Sequence, residues 1–301
     1  MTTAFVLSGG GSLGAAQVGG LVALTEAGIR PDLIVGCSAG AMNGAWLAGW
    51  SDDAGVRALA AVWRGLSRTT VFPARPMTGL LGLLGRRRYL VPYSGLRKLL
   101  TENLRFGRLE DAPIPLAVVA TDVLSGRDVR LCEGDAVRAI LASTAVPGVF
   151  PPVRVGGREF IDGGLVNNTP ISHAVALGAD TVWVLPTGYS CALPKVPATV
   201  LGMALYGLTL ALNQRLAVDV EHYQNVVDLR VAPPLCAERI SPADFSNADE
   251  LIRRAYDSTR QWLASSQQPT TAGQLAVLRT HSGPDAVSML SPRGSPRPLS
   301  A

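Results

Sequence analysis

Histidine is scarce in this sequence, cysteine is dispersed and charge is sparse, and each scarcity removes a class of protein. Only His173, His222 and His281 occur among 301 residues. No group of histidine, cysteine and carboxylate stands at metal-ligand spacing, so neither a metal nor another cofactor is expected. Cys37, Cys132, Cys191 and Cys236 are far apart and form no CxxC pair. That argues against a disulfide scaffold or a structural zinc site and for reduced thiols in a cytosolic compartment. Charged residues are 17% against 48% hydrophobic, which excludes a wholly disordered chain and allows a core able to bury a catalytic site. The formal net charge of +4 is too mild for a nucleic-acid binder, which concentrates positive charge. It suits contact with anionic lipid or a plain soluble enzyme. No positive n-region precedes the first apolar run, so no signal peptide and a cytoplasmic location are expected. A charge-free stretch, Val196–Gln214, is near the minimum for a spanning helix. Pro197, Gly202, Gly207, Asn213 and Gln214 dilute it, and it reads as a buried or interfacial helix.

What is present is strand and helix in alternation. Residues 4–8 read as a buried strand, 12–27 as a helix stopped by Gly28, 32–36 as a second strand and 39–49 as a second helix. Helices over 52–66, 94–104 (capped by Ser94), 135–143, 170–177, 198–223 and 247–265 follow. Strands over 115–122, 129–131, 158–161, 181–185 and 226–231 lie among them. This is the pattern of an α/β fold with a parallel sheet and helices on its faces. Residues 266–301, rich in Ser, Pro, Thr, Gly and Gln, read as a disordered tail.

Three short motifs carry chemistry. Gly9-Gly10-Gly11-Ser12-Leu13-Gly14 lies between a strand and a helix. Such a turn presents several backbone N–H groups and the positive end of a helix dipole, which serve a pyrophosphate or a tetrahedral oxyanion equally well. A dinucleotide site also wants an acid at the end of the second strand. Asp32 stands at the wrong end, and Cys37-Ser38 occupies the place. Gly36-Cys37-Ser38-Ala39-Gly40 is G-x-S-x-G between strand and helix, the setting of a nucleophile elbow. An N-cap serine on a tight turn has the same look. The third motif, Asp162-Gly163-Gly164, sets a carboxylate at a strand's end before two glycines, and an Asp-Gly hairpin turn reads the same way. A serine nucleophile needs a base. None of the three histidines follows a strand as catalytic loop residues do, and the third motif offers Asp162 as a different candidate base.

These three motifs in this order resemble the patatin-like phospholipase family. Ala142-Ser143-Thr144-Ala145-Val146-Pro147, Phe150-Pro151-Pro152 and Asn167-Asn168-x-Pro170 are similar to its further blocks, and the likeness covers roughly residues 4–185. The resemblance implies a three-layer α/β/α fold with a mostly parallel central sheet. It implies a lipid acyl hydrolase (a phospholipase A or lysophospholipase-like esterase) with Ser38 as nucleophile and Asp162 as base. Gly9, Gly10, Gly11 and Gly14 would form the oxyanion loop, Gly36 and Gly40 the elbow, and Gly163 and Gly164 the dyad loop. Many members carry Lys or Arg where this chain has Leu13, so the donors expected are backbone N–H groups, those of Gly10 and Gly11 foremost. Burial is expected to raise the Asp162 pKa, since an ordinary carboxylate is a weak base at neutral pH.

Two other readings stay in play: an esterase with a Ser–His–Asp triad, and a nucleotide-binding module using Gly9–Gly14. Residues 4–185 are expected to form the catalytic core, 186–265 a helical completion of the same domain, and 266–301 the tail. The stretch 79–88 combines Gly79–Gly85, which holds four leucines, with Arg86, Arg87 and Arg88. It suits a lid or a peripheral contact with anionic membrane. The expected partner is a lipid ester, with no nucleic acid.

Overall fold

Short runs of apolar residues pair side by side, and the helices between them fill the two faces thus created. The computed structural model describes residues 1–73, 86, 88–188, 196–235 and 240–265. In chain order, β1 is Thr3–Leu7, a 3-10 turn is Gly11–Gly14, α1 is Ala15–Glu26, β2 is Leu33–Cys37 and α2 is Ala39–Gly49. Then come α3 (Asp53–Gly65), α4 (Arg68–Val71), α5 (Ser94–Asn103), β3 (Leu116–Asp122), β4 (Asp128–Leu131) and α6 (Ala136–Ser143). They are followed by β5 (Val153–Val155), β6 (Arg158–Asp162), α7 (Gly164–Asn167), α8 (Ile171–Ala176) and β7 (Thr181–Leu185). The last are α9 (Val200–Tyr223), β8 (Asp228–Val231) and α10 (Ala248–Ser265).

The sheet runs β5-β6-β3-β2-β1-β7-β8, with β4 also on β3. β3, β2, β1, β7 and β8 are mutually parallel. β4 and β6 run antiparallel to β3, and β5 antiparallel to β6. Side chains alternate between faces with period two. Phe5, Leu7, Ile34, Val118, Ala120 and Trp183 pack on one face with α1, α2, α3, α6 and α10. Ala4, Val6, Val35, Cys37, Val119 and Val182 pack on the other with Ile171 and Ala174 of α8 and Leu216 and Val220 of α9. The result is three α/β/α layers around a mostly parallel sheet. Both faces are covered, so the central strands carry continuous apolar runs rather than alternation. Residues 186–265 contribute β8 to this sheet and α10 to the layer over α1.

Several details differ from the sequence reading. The helix expected from Ser12 begins at Ala15, after the 3-10 turn. Gly11 has φ +59, and Ser12 is tied to the α10 side by N–H donation to the Pro242 carbonyl (2.8 Å) and hydroxyl donation to the Ser241 carbonyl (2.9 Å). α1 shows no polar face over Ala15–Leu21, because sheet, α3 and α10 enclose it. Ser94 does not cap α5. Tyr93 holds that position without a side-chain bond, and Ser94 is already the first helical residue. α4, β5, the 3-10 turn Leu109–Asp111 and α7 go beyond the elements expected from sequence, since each is only three or four residues long. The tail expected over 266–301 lies outside the described residues. So do residues 79–85 and Arg87 of the proposed lid, while Arg86 and Arg88 are exposed.

Candidate active site

The register of β3 explains where the chemistry sits. Val118 pairs with both Gly36 of β2 and Leu131 of β4, and Ala120 pairs with both Val129 of β4 and Asp162 of β6. A strand has two edges, so β2 and β6 share one edge while β4 holds the other. Cys37 ends β2 opposite Val119, and Asp162 ends β6 opposite Ala120. Two antiparallel chains therefore finish head to head at adjacent positions. Asp162 projects to the face of its partner Ala120, which is the face where α2 packs and where Ser38 opens α2.

At this seam the Ser38 hydroxyl donates to Asp162 Oδ2 at 2.6 Å. Ser38 is 8% exposed and Asp162 5%. The other carboxylate oxygen accepts the Gly164 N–H at 2.8 Å. The Asp162 N–H donates to the Ala145 carbonyl (2.9 Å), and the Asp162 carbonyl accepts from the Thr121 hydroxyl (3.0 Å). The side chain thus has both backbone ends anchored. Burial pushes its pKa up to about 6, against the opposing pull of the Ser38 and Gly164 bonds. Desolvation dominates because, among the described residues, the carboxylate has hydrogen-bond donors but no cation beside it.

Ser38 has φ 52 and ψ −121, and it is the one non-glycine with positive φ among the described residues. Such a backbone costs on the order of 1–3 kcal/mol and persists only when its surroundings hold it. Its N–H donates to Ser143 Oγ at 2.8 Å, and that hydroxyl donates onward to the Val119 carbonyl at 2.6 Å. Space around the turn is minimal. A Cβ on Gly40 would collide with the Leu7 carbonyl, and one on Gly36 would lie 2.5 Å from the Gly40 oxygen. Ala39 and Gly40, in the first turn of α2, have no backbone acceptor among the described residues. They add N–H groups and the positive helix end beside the hydroxyl.

The glycine loop lies against this serine. A Cβ on Gly9 would sit 3.0 Å from Ser38 Cβ. The Gly9 N–H donates to the Asn168 carbonyl (3.1 Å), and the Gly9 carbonyl accepts from the Thr187 hydroxyl (2.7 Å) and Asn168 Nδ2 (3.3 Å). In a trans peptide the carbonyl and the following N–H point opposite ways. Fixing the Gly9 carbonyl therefore fixes the Gly10 N–H. The N–H groups of Gly10 and Gly11 have no acceptor among the described residues. Gly14 makes room for Ala39 and Trp63 and is a packing residue. Gly163 lets the chain turn against the Val119 carbonyl, and Gly164 supplies the amide to Asp162.

Beneath the loop, Gln17 donates to the Ser8 and Leu185 carbonyls (2.8 and 2.9 Å). Asn43 donates to Gln17 Oε1 (2.9 Å) and the Gly14 carbonyl (3.0 Å), and Trp63 Nε1 donates to Asn43 Oδ1 (2.8 Å). Gln17, Asn43, Thr121 and Thr187 lie outside the three sequence motifs. Ser143 and Asn168 stood inside family-like blocks, without a role.

No histidine among the described residues bonds to Ser38. His173 Nε2 lies 2.9 Å from Asp128 Oδ2, and His222 meets the Tyr223 ring edge-on at 4.6 Å. His281 is outside the described residues. No group of three or more His, Cys, Asp or Glu among them could hold a metal ion. Val146 and Leu165, each 41% exposed, flank the two chain segments that hold Asp162.

Comparison with known proteins matches residues 5–175 to the family model described as patatin-like phospholipase. The patatin-like phospholipase domain-containing protein 7 of Rattus norvegicus is 29% identical over 266 residues, covering 85% of this chain and 19% of the relative. Lysophospholipase nte1 of Aspergillus terreus is 27% identical over 289 residues, covering 86% of this chain and 18% of the relative. The chain thus spans about a fifth of the length of these curated relatives. Among solved structures, VipD from Legionella pneumophila aligns with 88% of this chain and 67% of its own, at TM-score 0.47 and 16% identity.

Proposed function

This chain belongs to the patatin-like phospholipase family, and on that premise we propose that it is a serine lipid acyl hydrolase with a Ser38–Asp162 dyad. The observation that carries the reading is the 2.6 Å hydroxyl-to-carboxylate bond between two buried side chains, beside the positive-φ backbone of Ser38. Asp162 takes the Ser38 proton as the oxygen attacks an ester carbonyl. The Gly10 and Gly11 N–H groups donate to the carbonyl oxygen as negative charge develops on it. The tetrahedral intermediate collapses to acyl-Ser38, and the departing alcohol takes the proton back from Asp162. A water then gives a proton to Asp162 and attacks the acyl carbon. Its collapse frees the fatty acid and returns the proton to Ser38. The acyl-ester substrate class is proposed from the family membership rather than from a lining of the site.

A Ser–His–Asp triad is disfavoured because Ser38 donates to Asp162, while among the described residues His173 is engaged with Asp128 and His222 meets the Tyr223 ring edge-on. A nucleotide site is disfavoured because β2 ends in buried Cys37 rather than an acid, with Ser38 pressed against the loop. Labelling with a lipid-like fluorophosphonate tests the proposal. Wild type should be labelled covalently at Ser38, with Ser38→Ala unlabelled and Asp162→Asn strongly slowed. Labelling that survives Ser38→Ala, or a wild type inert to both the probe and a panel of ester lipids, would end it.

A further inference from the structure

Helix α9 has two unlike halves. The C-terminal half carries Arg215, Asp219, Glu221 and His222 and buries Leu216 and Val220 against the sheet. The N-terminal half, residues 200–214, holds no charged residue. There Met203, Gly207, Leu208, Thr209, Leu210 and Ala211 are exposed, and a Cβ on Gly207 would meet nothing within 4 Å.

The angular spread of these positions decides what can cover them. At about 100° per residue, Leu210, Met203, Gly207 and Ala211 share one side, while Leu208 and Thr209 lie far round the other. A helix docked on a protein surface hides a stripe of roughly 100°. This surface extends over much more than that, and no charge interrupts it. Fluid hydrocarbon can wrap such a shape, whereas a groove cannot. Fifteen residues measure about 22 Å, short of the ~30 Å of a bilayer core. No helix among the described residues is long and apolar enough to cross a membrane.

We propose that the N-terminal half of α9 is an interfacial lipid anchor, inserting into the acyl region of a phospholipid surface. It rests on the hydrolase reading only for the identity of the surface. Because the half-helix is uncharged, its binding requires no anionic headgroup and resists salt, unlike an arginine-driven contact.

The test uses the full chain carrying Ser38→Ala, so that vesicles are not consumed, and sedimentation with zwitterionic phosphatidylcholine vesicles. Binding should be equal at low and high salt. Leu208→Asp with Leu210→Asp should lower the bound-to-free ratio at least about tenfold, since burying a single leucine already favours transfer by that order. The same pair in the Ser38-bearing chain should leave hydrolysis of a short soluble ester and the circular dichroism spectrum unchanged. The proposal is overturned by no binding to zwitterionic vesicles or by binding that the double substitution does not weaken. It is equally overturned by binding that needs anionic lipid and vanishes in salt, or by a dimer that the substitutions convert to monomer. Vesicle binding is read without catalysis and ester turnover without vesicles, so either reading can fail alone.

Discussion

Cys37 and Asp162 lie on one edge of β3, paired with the neighbouring residues Val119 and Ala120. β2 arrives from one direction and β6 from the other, and the seam between them brings the Ser38 hydroxyl to 2.6 Å from the carboxylate. That contact is a consequence of where two strands stop, and the expectations for pH, stability and turnover follow from what surrounds the seam.

With its pKa raised to about 6 by burial, Asp162 can act as a base only above that pH. A plot of log kcat/KM for a soluble ester should rise through an acidic limb near pH 6 and flatten above it. A flat profile down to pH 4.5 in a chain that stays folded would remove Asp162 from the role.

The same shift affects folding. The native carboxyl holds its proton more tightly than the unfolded one, whose pKa is near 3.8. Stability from this group is therefore full below about pH 4 and is lost as pH rises through 6. Above that the ionised side chain costs up to about 3 kcal/mol. Asp162→Asn should melt several degrees higher than wild type at pH 8, with the gain disappearing toward pH 4. Calorimetry at the two pH values measures it.

Ser143 is wholly buried and holds the Ser38 N–H in its strained conformation. Ser143→Ala leaves that donor unpaired, at a cost of roughly 1–3 kcal/mol. Denaturant unfolding should show that loss, and kcat should fall by about tenfold or more as the elbow loosens. Unchanged kcat in the folded variant would show that the bond does not position the nucleophile.

Thr187→Val removes the 2.7 Å donor to the Gly9 carbonyl while keeping the side chain's shape. The Gly10 N–H then loses part of its fixed orientation. The expected result is a drop in kcat of about tenfold with little change in KM, because the donor matters most when the oxyanion forms. A rise in KM alone would assign Thr187 to substrate binding instead.

Glycines should divide by the space around them. Gly40→Ala drives a Cβ into the Leu7 carbonyl and should abolish folding or cost more than about 3 kcal/mol. Gly65→Ala, with nothing within 4 Å at the end of α3, should be neutral or gain up to about 1 kcal/mol from helix propensity. Melting temperatures of the two variants read the contrast.

Local chemistry along the sequence was enough to determine the strand–helix alternation, the tight strand-to-helix turn at Ser38, the aspartate at a strand's end and the glycine turn after β1. Each depends on residues close in the chain: apolar runs of fixed period, and glycines where a turn leaves no room for a Cβ. The tertiary structure alone decided that Ser143, Thr187, Asn168 and Gln17 secure the site, because their partners stand 9 to 179 positions away and no periodicity encodes such pairings. It alone decided that β6 runs antiparallel on the edge shared with β2. The meeting of Ser38 and Asp162, 124 positions apart, follows from that edge-sharing, since the register of a strand is set by the face it buries against the whole sheet.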